Sequence, residues 1–375
     1  MISSSLEKIA TNTWVELMSR VFVVIPSKYK CFYNEEISLV KTIYSNIIGE
    51  VFVRKPNPRH YVPRDKIEYL KEEDLDKIII MDRLRPSQLV NLTRETGKEI
   101  IDRVLLILQI FEHHAGSIEA KLQIELARLK HQLPLVKEAI RYAKLGELHG
   151  FLGAGRYGYE RYYTMLRMKE ARIRRKLEEV RKTRMVRRMR RIKMGYPHIA
   201  IIGYTCAGKT TLFNKLTANS KPVGPEPFTT LSPKSSRIEL DGVSAIITDT
   251  VGFIRDLPHE IIEAFYATLE EVSYADIILH VIDSSKPLNY IYKNLAEARR
   301  ILSHIGVQGK PSILVLNKID LLDGYRDVLE QVKGVKEDNE VVIPVSAEKN
   351  VNIEQLKKVL ADMLKGRSLG TNIRT

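Results

Sequence analysis

The sequence predicts an α/β chain in three parts: an N-terminal parallel α/β domain, a long antiparallel helical hairpin, and a second α/β domain. Three observations support this. Short apolar runs alternate with helix-length amphipathic stretches in residues 1–115, helical apolar spacing flanks a glycine-rich segment in 116–194, and apolar runs end in polar motifs in 195–366. We expect residues 367–375 to be a disordered tail.

Composition narrows the class of protein further. The 375 residues are 44% hydrophobic and 28% charged, which is typical of a globular chain of two or three domains. No apolar run is long enough to span a membrane and no signal pattern precedes residue 30, so we expect a cytoplasmic protein. The two cysteines, Cys31 and Cys206, lie far apart, which predicts a reducing compartment and no zinc site.

The N-terminal part alternates β-rich runs with amphipathic stretches. We predict strands over 21–25, 50–53, 77–81 and 99–102, and helices near 34–47, 64–71, 86–95 and 103–114. This alternation is typical of a small parallel sheet. It contains no phosphate-binding glycine motif, so its sequence indicates no chemistry.

The hairpin is predicted from two helical runs. The first covers about 117–143 and the second about 162–192, separated by 149–158, where four of ten residues are glycine. Apolar residues recur at helical spacing: Ile118, Leu122, Leu126, Leu129 and Leu133 in the first helix, and Leu166, Ile173, Leu177 and Val180 in the second. Two antiparallel helices with a glycine-rich tip are the simplest interpretation.

The positive charge is concentrated in the second helix. Residues 156–193 contain 16 basic residues and four glutamates, which gives +12 of the chain's net +14. A solvated face of a structural coiled coil is the alternative interpretation. Helices of that kind interleave acidic with basic residues, whereas every charged residue of this helix after Glu179 is basic. We therefore expect a polyanion as partner.

A glycine-rich loop, Gly203-Tyr-Thr-Cys-Ala-Gly-Lys-Thr210, follows the apolar run 199–202. Its spacing matches the G-x4-G-K-[ST] phosphate loop, in which backbone N–H groups and a helix N-terminus surround the phosphates. Lys209 should reach the β- and γ-oxygens, and the Thr210 hydroxyl should ligate Mg²⁺. The predicted phosphate-binding residues are Gly203, Tyr204, Thr205, Cys206, Ala207, Gly208, Lys209, Thr210 and Thr211.

A second motif, Asp249-Thr-Val-Gly252, matches the D-x-x-G pattern. There the aspartate holds Mg²⁺ through water and the glycine N–H contacts the γ-phosphate. Between the two motifs, Thr230, with Thr229 as the alternative, is expected to complete the metal site. The predicted metal residues are Thr210, Thr230 and Asp249, and the predicted catalytic residues are Lys209, Thr230 and Gly252.

The base-binding motif is Asn317-Lys-Ile-Asp320, which follows another apolar run. The Asp320 carboxylate can accept hydrogen bonds from guanine N1–H and N2–H₂, which adenine does not present there. Asn317 should tether the loop and the guanine edge, while Lys318 lies over the ring. Farther on, backbone N–H groups of Ser346 and Ala347 should meet the guanine O6. Together, the motifs predict that the protein binds GTP and GDP.

Phe253 departs from the usual pattern. Ras-like enzymes place after the D-x-x-G glycine a glutamine that orients the attacking water, and a phenyl ring cannot do this. We therefore expect slow intrinsic hydrolysis, completed by a bound partner or by a backbone group.

On these residues the chain resembles the HflX family of ribosome-associated GTPases. The resemblance rests on the phosphate loop, on Asp249-Thr-Val-Gly-Phe-Ile-Arg-Asp-Leu-Pro-His259, on Ala264-Phe-Tyr-Ala-Thr-Leu-Glu-Glu271, and on the hairpin phrase from Gly116 to Ala127. It implies a family-specific N-terminal domain, a helical hairpin and a Ras-like GTPase domain. It also implies binding to the large ribosomal subunit, with the N-terminal region directed towards the peptidyl-transferase centre, and splitting, rescue or recycling of ribosomes.

The chain differs from the family pattern in three places. Cys206 stands where the family usually has an asparagine, which in related GTPases helps bind an activating potassium ion, so we do not expect potassium dependence. The tip reads Gly155-Arg-Tyr-Gly-Tyr-Glu160 instead of G-P-G-E, and the chain stops soon after Leu364, where many bacterial members carry another domain.

We therefore predict a monomeric ribosome-associated GTPase that uses Mg²⁺ and grips ribosomal RNA through the basic helix 156–193. One alternative is a nucleotide-driven RNA-remodelling enzyme with an ATP-using N-terminal domain, since family members are reported to use ATP there. Another is a GTP-regulated adaptor for a protein or an anionic membrane surface.

Overall fold

The computed structural model describes residues 18–115, 117–144, 156–193, 195–217, 234–255, 261 and 272–371. The chain forms two compact units, which are described separately below. The first contains residues 1–113, 121–179 and 258–264, and the second contains residues 114–120, 180–257 and 265–375.

The first unit is built on a four-stranded parallel sheet in the order β2-β1-β3-β4. Its strands are β1 (Arg20–Pro26), β2 (Asn46–Val53), β3 (Lys77–Ile80) and β4 (Glu99–Asp102), and its helices are α1 (Tyr33–Lys41), α2 (Arg64–Glu72), α3 (Pro86–Thr96) and α4 (Arg103–His114). Strand β1 lies between β2 and β3. Because all four strands are parallel, their carboxyl ends lie at one edge of the sheet.

Strand β2 begins four residues before its predicted start, and α1 ends six residues before its predicted end. The register between β1 and β2 shifts between Val21 and Phe22, and Phe22 is paired with Gly49. A Cβ on Gly49 would lie 2.7 Å from Cε2 of Phe22, so the ring lies directly against the glycine backbone. Because this glycine interrupts the β-rich pattern, the sequence predicts only the second half of the strand.

The hairpin helices are α5 (Ile118–Lys144), which contains Pro134, and α6 (Arg156–Lys193). Leu129 and Leu133 of α5 form a buried cluster with Leu166 and Ile173 of α6. The helices are antiparallel, because the ion pairs Glu125–Lys169 (2.6 Å) and Lys144–Glu160 (3.8 Å) run in opposite directions along them. Ile118, predicted in the apolar seam, is 75% exposed. Residues 149–155 of the predicted tip lie outside the described residues. Its last three residues, 156–158, begin α6.

The second unit contains a six-stranded sheet in the order β10-β9-β8-β5-β7-β6, parallel except for β6. Its strands are β5 (His198–Gly203), β6 (Lys234–Leu240), β7 (Val243–Asp249), β8 (Ile277–Asp283), β9 (Ser312–Asn317) and β10 (Glu340–Pro344), and its helices are α7 (Lys209–Thr217), α8 (Leu288–His304), α9 (Arg326–Lys333) and α10 (Ile353–Thr371). The predicted fold class is confirmed. Helix α10 continues five residues into the segment 367–375, for which disorder was expected.

Among the described residues, no helix is long and apolar enough to cross a membrane. The domain boundaries predicted at 115 and 194 stay predictions.

Candidate functional site

The glycine-rich loop connects β5 to α7 at the carboxyl edge of the second sheet. Gly203 has φ +144°, and a Cβ there would lie 2.2 Å from the Val281 carbonyl oxygen. Gly208 has φ +91°, and a Cβ there would lie 2.2 Å from Nδ2 of Asn317. Both positions therefore require glycine, for conformation and for space. Cys206, with φ +60°, is exposed at the turn of the loop.

Lys209 and Thr210 begin α7 and are buried, together with Tyr204 and Ala207 of the loop, while Thr211 is half-buried. The Lys209 ammonium donates a hydrogen bond to the Tyr204 carbonyl oxygen (2.6 Å). Burial lowers the pKa of Lys209 to about 8, against the attraction of the Asp249 carboxylate, which raises it. The ammonium is thus poorly solvated where the motif predicts phosphate oxygens, and an anion there would restore its usual pKa.

The predicted metal residues Thr210 and Asp249 lie together. The Thr210 hydroxyl donates to Asp249 Oδ2 (3.0 Å), and the Asp249 side chain is fully buried at the end of β7. Two hard oxygen ligands fit Mg²⁺, which keeps several waters and takes further oxygens from phosphates. Within the described residues no group of three or more His, Cys, Asp or Glu side chains could hold a metal alone. Thr230 and Thr229 lie outside the described residues.

The segment after Asp249 lies directly on the phosphate loop. Phe253 N–H donates to the Gly203 carbonyl and its own carbonyl accepts from Thr205 N–H, both at 2.9 Å. A Cβ on Gly252 would lie 2.9 Å from the Lys209 ammonium, so this backbone passes close to the predicted γ-phosphate position. The Phe253 ring is 2% exposed and packs edge-on against Tyr204. The side chain at this position therefore faces the core.

The base-binding loop is joined to the phosphate loop by one side chain. Asn317 Nδ2 donates to the Ala207 carbonyl (2.8 Å), and its Oδ1 accepts from Ala347 N–H (2.9 Å). Asn317 therefore links the base-binding loop to the phosphate loop and to the backbone at Ala347. Lys318 has φ +67° and pairs with Asp283 (2.7 Å).

Asp320 is exposed and lines an open groove of about 540 Å³ with Asp323 and Val351. The two N–H groups predicted to meet the guanine O6 have acceptors within the protein. Ser346 N–H donates to the Val351 carbonyl (3.2 Å) and Ala347 N–H to Asn317. The contact with O6 stays a prediction.

Sequence reasoning missed three residues that position this site. Asp283 holds Lys318, and the Ser284 hydroxyl and N–H donate to the Asn317 carbonyl (2.6 and 2.9 Å). Both follow an apolar strand at its carboxyl end, a pattern that could have indicated them. Arg255, discussed below, carries no such signal.

The loop requires glycine at two positions, brings Thr210 to Asp249, and is joined through Asn317 to the loop that carries Asp320, so this domain is that of a P-loop GTPase. Family models match three consecutive parts of the chain: "GTP-binding GTPase N-terminal" at 33–112, "GTP-binding GTPase Middle Region" at 114–191, and "50S ribosome-binding GTPase" at 198–318.

Whole-chain relatives identify the family. The GTPase HflX of Hyperthermus butylicus is 43% identical over 348 residues, covering 89% of this chain and 92% of the relative. That of Saccharolobus solfataricus is 40% identical, covering 88% and 94%, and that of Escherichia coli is 34% identical, covering 84% and 74%. The chain belongs to the HflX family of GTPases and is a GTP-hydrolysing enzyme.

A solved structure has the same fold over nearly the same length. The crystal structure of a GTP-binding protein from the hyperthermophilic archaeon Sulfolobus solfataricus, in complex with GDP, is 31% identical with a TM-score of 0.52, covering 93% of this chain and 99% of that chain. A second GDP complex, of SsGBP, is 32% identical with a TM-score of 0.54. GTP and GDP are therefore the nucleotides of this site.

Proposed function

We propose that this GTPase acts on the ribosome, binding the large subunit in its GTP form and taking part in splitting, rescue or recycling of ribosomes. The observation that carries the proposal is the exposed basic surface of α6. The description of the matched family model, a 50S ribosome-binding GTPase, supports it.

One of the four glutamates of α6 is withdrawn from its basic surface, while Glu178 and Glu179 stay exposed. Glu170 is buried and paired with Arg167 and Arg174 at 3.1 and 2.5 Å. Among the side chains that the structure describes between residues 160 and 186, nine basic ones are exposed: Arg161, Arg167, Lys169, Arg172, Arg174, Arg175, Lys176, Arg181 and Lys182. Such a surface binds phosphates with little sequence preference, which suits the backbone of ribosomal RNA.

The carboxyl edge of the N-terminal sheet is a second basic surface. The loops after β1, β2 and β3 (27–32, 54–63 and 81–85) contain a single acid, Asp82. Their exposed basic residues are Lys28, Lys30, Arg54, Lys55, Arg59, Arg83 and Arg85. The parallel topology brings these loops to one edge, and this N-terminal basic edge supports an orientation of the domain towards RNA.

At the nucleotide site, catalysis is positioning and charge neutralisation by this chain's own groups. Lys209 balances charge on the β- and γ-oxygens, Gly252 N–H donates to the γ-phosphate, and Asp320 holds the guanine. Because the Phe253 ring is buried, no side chain at that position orients water. Intrinsic hydrolysis is therefore slow, and the partner stimulates it.

Thr210 and Asp249, with Thr230, would hold Mg²⁺, which when bound neutralises charge on the phosphate oxygens. Hydrolysis removes the γ-phosphate contact at Gly252, so the nucleotide state sets affinity for the ribosome.

Co-sedimentation of the full chain with ribosomal subunits tests this proposal. We expect binding to the large subunit with a non-hydrolysable GTP analogue and release with GDP. Equal binding in both states, or binding that survives ribonuclease digestion of the RNA, would contradict it, and the second result would favour the adaptor interpretation.

Charge variants sharpen the test of the basic helix. The triple change Arg172→Ala, Arg175→Ala and Lys176→Ala should weaken binding and lower the slope of log affinity against log salt by about 2, because each lost phosphate contact contributes about 0.7–0.9. The matched control is Lys333→Ala, Lys336→Ala and Lys349→Ala, which removes the same charge from exposed positions of the second unit. Equal losses in both variants would mean that net charge alone drives binding.

A further inference from the structure

Arg255 is a buried charged residue to which the mechanism above gives no role. It follows Gly252 and Phe253 by two or three positions and is 8% exposed. Its guanidinium donates to Asn294 Oδ1 (2.9 Å) and lies 5.1 Å from the ring centroid of Tyr290, both on α8. Burying a guanidinium is costly unless it is bonded, so this contact holds the chain firmly at residue 255.

The segment between Asp249 and Arg255 is fixed at two further points. The Thr250 hydroxyl donates to the Ile201 carbonyl (2.6 Å), and the backbone of Phe253 is hydrogen-bonded on both sides to the phosphate loop. Gly252 lies between these points, beside the Lys209 ammonium. The position of the Gly252 peptide N–H is therefore set by the neighbouring residues.

Helix α8 is itself tied to the base-binding loop. Its first turn follows Asp283 and Ser284, which bond to Lys318 and to the Asn317 carbonyl. A contact between Arg255 and α8 therefore connects residue 255 to the elements that are expected to bind the nucleotide. This makes α8 a suitable reference point for a group whose position relative to a reacting phosphate must be held to within about 0.5 Å.

We propose that Arg255 is a positioning residue for GTP hydrolysis: by bonding to Asn294 and Tyr290 it sets the placement of the Gly252–Phe253 backbone against the phosphate loop. In enzymes with glutamine at the position of Phe253, a side chain performs part of this task. Here the backbone performs it, and its placement depends on the anchor two residues farther on. The inference uses the proposed contact of Gly252 with the γ-phosphate and is independent of ribosome binding.

Arg255→Met keeps the volume and removes the anchor. We expect kcat for GTP, measured on the full chain without ribosomes, to fall at least about tenfold, since small displacements of positioning groups have large effects on rate. KM for GTP and Kd for GDP should change less than about threefold, because the phosphate loop and the base-binding loop are untouched. Asn294→Leu should lower kcat similarly, and Arg255→Lys should recover part of the loss.

The matched control is Arg237→Met. Arg237 lies 5.0 Å from the ring centroid of Tyr196 on the same unit, but it is exposed and does not adjoin the phosphate loop. Its loss should leave kcat unchanged.

Unchanged kcat in Arg255→Met would overturn the proposal. So would losses of kcat, GDP affinity and melting temperature in proportion, because these indicate a structural role alone. If Arg255→Met does not fold, Asn294→Leu and Arg255→Lys decide between the same outcomes. Gly252→Ala separates this proposal from its premise: full turnover in that variant would mean that Gly252 has no contact with the γ-phosphate, whatever Arg255 does.

Discussion

Both sheets of this chain gather charged residues at the carboxyl ends of their parallel strands, but the space at the two edges differs. In the second sheet, Gly203 and Gly208 have no Cβ where one would lie 2.2 Å from Val281 and Asn317, so the phosphate loop can pass tightly against these residues. In the N-terminal sheet, large side chains fill the corresponding place. Tyr61 O–H donates to Asp82 (2.8 Å), and Arg103 pairs with the buried Glu36 and lies 4.8 Å from the ring centroid of Tyr29.

The comparison shows that the carboxyl edge of a parallel sheet is only a place where a site can be built. Whether it binds a nucleotide depends on small residues that let phosphates approach backbone N–H groups. Within residues 18–115 the structure contains no such loop, although the exposed loops at this edge are basic. We therefore expect no nucleotide site at the carboxyl edge of the N-terminal sheet, and the predictions below test this difference between the two edges.

The largest effect is expected at the glycines of the phosphate loop. Gly208→Ala brings a Cβ to 2.2 Å from Asn317 Nδ2, so affinity for GDP should fall at least about a hundredfold, or about 2.7 kcal/mol. Titration calorimetry measures it. Gly306→Ala is the control, because Gly306 also has positive φ (+72°) but has open space around it. Loss of binding in both variants would mean that conformation, not space, is decisive.

Base recognition should show the next largest effect. Asp320→Asn removes a charged acceptor of guanine donors, so GTP affinity should fall about ten- to a hundredfold, and xanthosine triphosphate should bind better than GTP. Asp323→Asn, in the same groove, should leave both affinities unchanged. Unaltered GTP affinity in Asp320→Asn would remove Asp320 from the site.

The buried ammonium should make binding depend on pH. Because burial lowers the pKa of Lys209 to about 8, most of this amine is neutral at pH 8.5, and phosphate binding should raise its pKa again. GTP binding at pH 8.5 should therefore take up roughly half a proton or more. Calorimetry in two buffers of different ionisation enthalpy measures this uptake. No uptake at pH 8.5 would show that Lys209 is already charged in the free protein.

The smallest effect on activity is expected at the filled edge. Burial and the Asp82 carboxylate raise the pKa of Tyr61 well above its usual range, so its hydroxyl stays a donor. Tyr61→Phe should lower the free energy of unfolding by about 1–3 kcal/mol without changing GTP turnover. Tyr69→Phe, at a 46% exposed position, should change neither quantity. Reduced GTP turnover in Tyr61→Phe would mean that this edge also contributes to the reaction.

The sequence was informative where the chemistry itself dictates residue spacing. The phosphate loop, Asp249-Thr-Val-Gly252 and the loop from Asn317 to Asp320 were found because phosphates and guanine require particular groups at fixed intervals. Strands β1, β3 and β4 were found because buried parallel strands are continuous apolar runs.

Contacts between distant positions could not be predicted in this way. Arg255 meets Asn294 39 residues away, and Ser284 meets Asn317 33 residues away. Neither pairing follows a local period. The start of β2 was missed because Gly49 fits beneath Phe22 of a different strand. The packing of Tyr61 and Arg103 at the filled edge likewise depends on side chains that are distant in the sequence, Asp82 for Tyr61 and Glu36 and Tyr29 for Arg103.

The number of nucleotides bound per chain tests the difference between the two edges most directly. Equilibrium dialysis of the full chain against GDP and against ATP, repeated with Gly208→Ala, gives this number. We predict one GDP per chain, none in the variant, and no ATP bound by the variant. A second nucleotide on the unmodified chain, or ATP retained by Gly208→Ala, would show that the N-terminal edge binds nucleotide and would contradict the account.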